Sequence, residues 1–191
     1  MSQARKILDF WFGQPGSASY GKPRQVWFIK KPEFDQEIRT RFINDYEQAA
    51  AGNLDDWKKS PQSCLALILL LDQFPRNMFR GTPQAFATDW QALSTAQYAI
   101  AQGYDRQLLP VERWFIYLPF EHSENLEHQN IAVTLFEQLT DDPDSADAIN
   151  YAIRHRETIL RFGRFPHRNA ILGRVSTPEE EAFLQQPGSS F

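Results

Sequence analysis

Seven consecutive apolar residues, Leu65-Ala66-Leu67-Ile68-Leu69-Leu70-Leu71, leave no side of a helix for water. A helix that is apolar all round has to be enclosed by other helices, so the segment from about Gln62 to Gln73 is expected to be the central rod of the fold. Beyond Leu71 the chemistry changes abruptly, to Asp72-Gln73-Phe74-Pro75-Arg76-Asn77-Met78-Phe79-Arg80-Gly81. Asp72 is expected at the negative end of the helix dipole, just before a break imposed by Phe74-Pro75. A carboxylate among apolar neighbours requires a cation, and Arg76 and Arg80 come at once.

The remaining chain supplies helices to surround that rod. Ile7, Leu8, Phe10, Trp11 and Phe12 predict a short first helix that Gly13 and Pro15 terminate, with Trp27 and Phe28 anchoring the far side of the next loop. Phe34, Ile38, Phe42, Tyr46 and Ala49 form an apolar stripe at helical spacing after Pro32. Thr82-Pro83 predicts a helix start, with Phe86, Trp90, Leu93 and Ile100 facing inward and Asp89 on the same stripe as a half-buried carboxylate. Pro110 opens the next helix, which Pro119 is expected to break or kink. Glu121-His122-Ser123-Glu124 leads into a helix burying Ile131, Ala132, Leu135, Phe136 and Leu139, with Ser123 as N-cap in one of two readings of that word. From Ala146 to Phe162 the inward stripe includes Ala148, Tyr151, Ala152, His155 and Ile159, and Thr177-Pro178-Glu179-Glu180 reads as a capping box before a last helix whose tail, Gln186 to Phe191, should fray. No segment sustains period-two alternation, so the expected fold is all-α, a single domain over residues 1–191 with about eight helices stacked as antiparallel hairpins.

Charge narrows the function classes. The net charge of −4 argues against a general nucleic-acid binder and against an anionic-membrane binder, since both work through clustered Lys and Arg. No apolar run approaches the roughly 20 residues that span a bilayer, and the N-terminus does not read as a secretory signal, which makes a cytoplasmic location the expectation. The single Cys64 cannot form an internal disulfide and reads as a small buried hydrophobe. All six Lys lie at or before Lys59, and the ten cations beyond it are all Arg. Arg pairs carboxylates and phosphates through a planar fork and tolerates burial better than Lys does. Within that later part, Phe120 to Asn150 holds eight acids and no Lys or Arg, whereas Ile153 to Val175 holds six Arg and only Glu157, so the two segments are expected to pair internally, at least in part.

Four words of sequence carry a resemblance. Ile7-Leu8-Asp9-Phe10-Trp11-Phe12-Gly13, Leu71-Asp72-Gln73-Phe74-Pro75-Arg76-Asn77 with Phe79-Arg80-Gly81, Leu118-Pro119-Phe120-Glu121-His122-Ser123-Glu124, and Phe162-Gly163-Arg164-Phe165-Pro166-His167-Arg168-Asn169 with Leu172-Gly173-Arg174 resemble the DUF924 family over nearly the whole chain. The resemblance implies a helical superhelix related to tetratricopeptide-repeat proteins, mostly bacterial and soluble, and a domain of unknown function. It brings no catalytic residue and no cofactor with it.

Candidate chemistry is read from the residues of those words. Asp72, Arg76, Asn77 and Arg80 suit an anion site in which guanidiniums grip a carboxylate or phosphate, or else a loop held by ion pairs. Glu121, His122 and Glu124 place two carboxylates around an imidazole, an arrangement fit for acid–base work, or for a cap at a helix start. A metal site with His128 and His155 is disfavoured, because the spacing matches no common ligand motif. Arg161, Arg164, His167, Arg168, Asn169 and Arg174, with His155 upstream, suit a phosphorylated small molecule or an acidic peptide, while His155 alone fits a satisfied core histidine better. The expected function is therefore binding of an anionic small molecule or acidic peptide in a polar Arg/His/Glu cleft. Two alternatives stand beside it: a hydrolase using His122 or His155 with Glu121 or Glu124 on a phosphoester or acyl substrate, and an interaction scaffold built on a buried salt-bridge network.

Overall fold

The structure, a computed structural model, describes residues 2–189. Its helices are α1 (Gln3–Phe12), α2 (Pro32–Ala50), α3 (Pro61–Ile68), α4 (Phe74–Met78), α5 (Asp89–Ala101), α6 (Pro110–Glu121), α7 (Leu126–Glu137), α8 (Ala146–Phe162) and α9 (Pro178–Leu184), joined by loops and single 3₁₀ turns. No strand occurs among the described residues, in agreement with the all-α expectation.

The apolar run is the axis. α3 starts where Ser60 accepts from the Ser63 N–H and Pro61 occupies the first turn, and every residue from Cys64 to Pro75 is buried. α1, α5 and α6 pack directly on α3, and α2 and α5 close over the turn at its end. Aromatic rings fill the space between: Trp11 meets Phe74 at 5.4 Å and Phe115 at 5.6 Å, and Phe42 meets Phe74 at 5.1 Å. Cys64 is buried in this core, which pushes its thiol up to about 12 and leaves it unreactive near neutrality.

The break expected at Phe74-Pro75 is absent. α3 continues through a π-helical turn, Leu69–Gln73, straight into α4, and the Phe74 N–H reaches back to the Leu69 carbonyl. Pro75 has no N–H to offer the Leu71 carbonyl one turn earlier, and the Thr88 hydroxyl donates to that carbonyl at 2.6 Å instead. Counted as one rod, α3, the π turn and α4 bring the described helices to eight. Asp72 thus sits inside the rod, not at its end.

Several faces differ from the simple stripes. Thr82 does not cap; its hydroxyl donates to the Phe79 carbonyl, Pro83–Phe86 is a 3₁₀ turn, and α5 starts only at Asp89. α5 buries Ala92, Thr95, Ala96 and Ala99, so its backbone lies close to the rod and Trp90 points outward at 70% exposure. Trp27 is buried as expected, but Phe28 is 64% exposed. Ile131 and Tyr151 lie at the edges of their stripes and are exposed, whereas Ala132, Leu135, Phe136, Leu139, Ala152, His155 and Ile159 are buried. Asn125, not Ser123, caps α7, accepting from the Glu127 and His128 N–H groups. The Thr177 capping box of α9 is present. Of the tail expected to fray, Ser189 is buried and donates to the Leu184 carbonyl, while Ser190 and Phe191 lie outside the described residues.

Leu70→Ala tests the rod. The site is completely buried and enclosed by other elements, so we expect a loss of about 2–5 kcal/mol in unfolding free energy, read from urea denaturation.

Candidate functional site

Asp72 is fully buried, and everything around it is arranged to keep it ionised. One oxygen lies 2.7 Å from the His122 Nδ1 and 3.3 Å from an Arg76 nitrogen, and the other accepts from the Gln73 amide at 2.6 Å. Burial pushes this carboxyl up, but Arg76, His122 and Gln73 together outweigh it and hold it well below the ordinary carboxylate range. His122 reaches Asp72 because Pro119 does not break α6. The helix runs on to Glu121 with Pro119 inside it, and His122 is its C-cap.

Arg76 extends the network to α5. It donates to the Asp72 carbonyl at 2.8 Å and forks onto both oxygens of Asp89 at 2.7 and 3.0 Å. Asp89 also faces Arg168, at 3.6 Å, too far for a hydrogen bond. Arg168 is 6% exposed, its guanidinium makes no hydrogen bond among the described residues, and it lies 4.7 Å from the centre of the Phe86 ring and 4.5 Å from that of Phe165. Burial and the neighbouring Arg76 bring its guanidinium down to about 10, so it still carries its charge at neutral pH.

The Phe165 ring gathers the remaining groups. His155 meets it edge-on at 5.4 Å, His167 packs at 5.6 Å, and the His122 and His155 rings are 6.5 Å apart. His155 Nδ1 lies 2.9 Å from Glu121 Oε1 and 2.8 Å from the Tyr151 carbonyl, while Glu121 Oε2 is buried with no hydrogen-bond partner among the described residues. Glu124 holds the loop after α8 in place: it forks onto Arg174 at 2.6 and 2.9 Å and accepts from the Phe165 N–H at 2.7 Å. Burial pushes the Glu124 carboxyl up, and Arg174 with the Phe165 N–H pushes it further down, so it stays ionised. The acidic and basic segments therefore do pair, through Glu121 with His155 and Glu124 with Arg174.

The predicted site residues divide in two. Asp72, Arg76, Glu121, His122, Glu124, His155, His167, Arg168 and Arg174 form one linked set at the meeting of the rod, α6, α8 and the 165–174 loop. The others turn away from it. Asn77 and Arg80 bind Asp35 on α2. Arg161 pairs with Glu179, and Arg164 and Asn169 bind Glu180, which fastens α9 to the loop. His128 bonds to Ser123, and no cluster of three or more metal-ligating side chains occurs among the described residues. Phe86 and Thr88 belong to the site's surroundings and are missed by sequence reasoning, since nothing in a lone Phe or Thr announces such a role.

These features define an all-helical protein with a buried centre of imidazoles, carboxylates and guanidiniums. The chain belongs to the family described as bacterial protein of unknown function (DUF924), whose model matches residues 7–188. A solved structure of a protein of unknown function, ATU0120 from Agrobacterium tumefaciens, is similar at 41% identity and a TM-score of 0.84, covering 95% of this chain and 96% of that one. No curated protein matches.

The centre also sets a pH dependence. Burial, with Arg168 and His155 nearby, pushes His167 down to about 3, and burial with Arg76 lowers His122 against the opposing pull of Asp72. Both imidazoles are neutral in the fold and take up protons near pH 6.5 once unfolded, so their contribution is complete above that pH and is lost as pH falls towards the folded values. Between roughly pH 6 and 5 we expect His167→Gln to flatten the slope of unfolding free energy against pH by about 1 kcal/mol per unit, measured by urea denaturation.

Proposed function

We propose that this protein binds an anionic small molecule, with Arg168 as the anchor and Arg76, His122, His155, His167 and Arg174 around it. The observation that carries the reading is the state of Arg168. A guanidinium buried to this degree normally spends its fork on a carboxylate, because a desolvated charge without hydrogen bonds costs several kcal/mol. Arg76, Arg80, Arg161, Arg164 and Arg174 hydrogen-bond a carboxylate, whereas Arg168 only faces Asp89 at 3.6 Å, beyond hydrogen-bond reach. Its buried Nε has no hydrogen-bond partner among the described residues and phenyl rings lie at 4.7 and 4.5 Å, so its N–H groups have capacity for a carboxylate or phosphate. Compared with the expectation from sequence, the anchoring set is narrower. Arg80, Arg161 and Arg164 hold elements together and are left out.

Thermal unfolding in phosphate, pyrophosphate and citrate tests the proposal. A ligand present at about a hundred times its dissociation constant stabilises by roughly 2.7 kcal/mol. Arg168→Met keeps the apolar stem beside the rings and removes the charge. We expect it to abolish the ligand-induced shift while leaving the free protein within about 1 kcal/mol of wild type, since no formed hydrogen bond is lost. A free protein weakened by about 3–5 kcal/mol instead would assign Arg168 a structural role.

A second reading, hydrolysis of a phosphoester or acyl substrate at the same place, is favoured by the Asp72–His122 pair. Asp72 accepts a hydrogen bond from the Nδ1–H of a neutral His122, so Nε2 presents its lone pair and makes no hydrogen bond among the described residues. In this reading Nε2 takes a proton from the attacking water and returns it to the departing alkoxide. His155 with Glu121 would be a supporting pair, while Glu124, held by Arg174, takes no part. With p-nitrophenyl phosphate and p-nitrophenyl acetate as probes, His122→Asn should lower kcat by roughly 10²–10⁴-fold. Turnover that is absent, or is unchanged in the variant, leaves the binding reading alone.

A further inference from the structure

Outside this centre, the loop before α2 presents a different chemistry. Phe28 is 64% and Ile29 48% exposed, two adjacent large apolar side chains at the tip of a turn, and Lys30 and Lys31, both exposed, come directly after them. Trp27, one residue earlier, is buried and donates from its indole to the Trp11 carbonyl at 3.1 Å, so the tip stands on a rigid base. Beside it lies a cavity of about 640 Å³ between α1 and α2, floored by Phe10 and Phe34 and ringed by Lys6, Arg24, Lys31 and Arg41. Its two acids are engaged, Asp9 with Arg5 at 2.7 Å and Glu37 with Arg41 at 2.9 Å. Arg24 is occupied by the Phe10 and Trp11 carbonyls at the end of α1. Lys6, Lys30 and Lys31 have no ion-pair partner among the described residues; Glu33 is the exposed acid nearest in sequence.

We propose that the protein docks reversibly on an anionic phospholipid surface through this tip, with Phe28 and Ile29 entering the acyl boundary and a headgroup phosphate received by Lys6 and Lys31 at the cavity. The whole-chain charge of −4 conceals the patch: Phe120 to Asn150 holds eight of the acids, and of those that follow the tip in the first two turns of α2, Asp35 pairs with Arg80 and Glu37 with Arg41, which leaves Glu33. Two apolar side chains alone would fit a protein partner equally well. Unpaired lysines on the same edge, beside a basic cavity, favour a surface of negative headgroups.

The test is co-sedimentation of the full chain with vesicles of phosphatidylcholine alone and of phosphatidylcholine mixed with phosphatidylglycerol. Binding is expected on the mixed vesicles only, and high salt should release it. Lys30→Gln with Lys31→Gln should weaken the partition by roughly 25-fold, at about fivefold per lysine, and Phe28→Ser with Ile29→Ser should abolish it. These side chains are exposed, so circular dichroism melts should match wild type and loss of binding cannot be assigned to unfolding. Equal binding to both vesicle types, no binding to either, or full competition by free inorganic phosphate overturns the proposal. A self-association that the Phe28 and Ile29 changes abolish would also overturn it and assign the tip to a second copy of this chain.

Discussion

One ionised carboxylate in an apolar rod dictates where the distant parts of this molecule go. Asp72 has no water, so its charge must be met by groups carried in from elsewhere, and leaving it unmet would cost several kcal/mol. Arg76 comes from the next turn of the same rod, but His122 is brought by α6, fifty residues along the chain. Arg76 in turn holds Asp89 at the start of α5, and Asp89 faces Arg168 in the loop after α8. Helices that would pack at many rotations on apolar contact alone are pinned to one arrangement by this relay.

The π turn is what lets the relay exist. A regular helix interrupted at Pro75 would have sent α4 off at an angle and left Asp72 at a frayed end. Widening the ladder by one residue keeps the rod straight enough to place Arg76 beside both Asp72 and Asp89, and Thr88 takes up the carbonyl that Pro75 leaves.

Local chemistry makes much of this legible in the sequence. The all-round apolar run demands a buried helix, the Pro-led starts of α2, α6 and α9 are readable, and Asp72 followed by Arg76 announces an ion pair. The misreadings share one cause, that a stripe or a dipeptide is judged without its neighbour. Helical spacing places Trp90 inward, yet small residues at Ala92, Ala96 and Ala99 draw α5 too close to the rod to admit an indole. Phe74-Pro75 reads as a break because the hydroxyl that satisfies Leu71 lies seventeen residues on. Arg80, Arg161 and Arg164 look like ligand groups, since nothing local shows that Asp35, Glu179 and Glu180 will meet them.

Phe165 carries a last consequence. Its N–H is held by Glu124 and its carbonyl by Arg174, while its ring is the wall against which Arg168, His155 and His167 all rest. The ion pair on one side of the backbone thus sets the packing of those side chains on the other. A partner or modification that parted Glu124 from Arg174 would retune the guanidinium and both imidazoles together, without touching any of them.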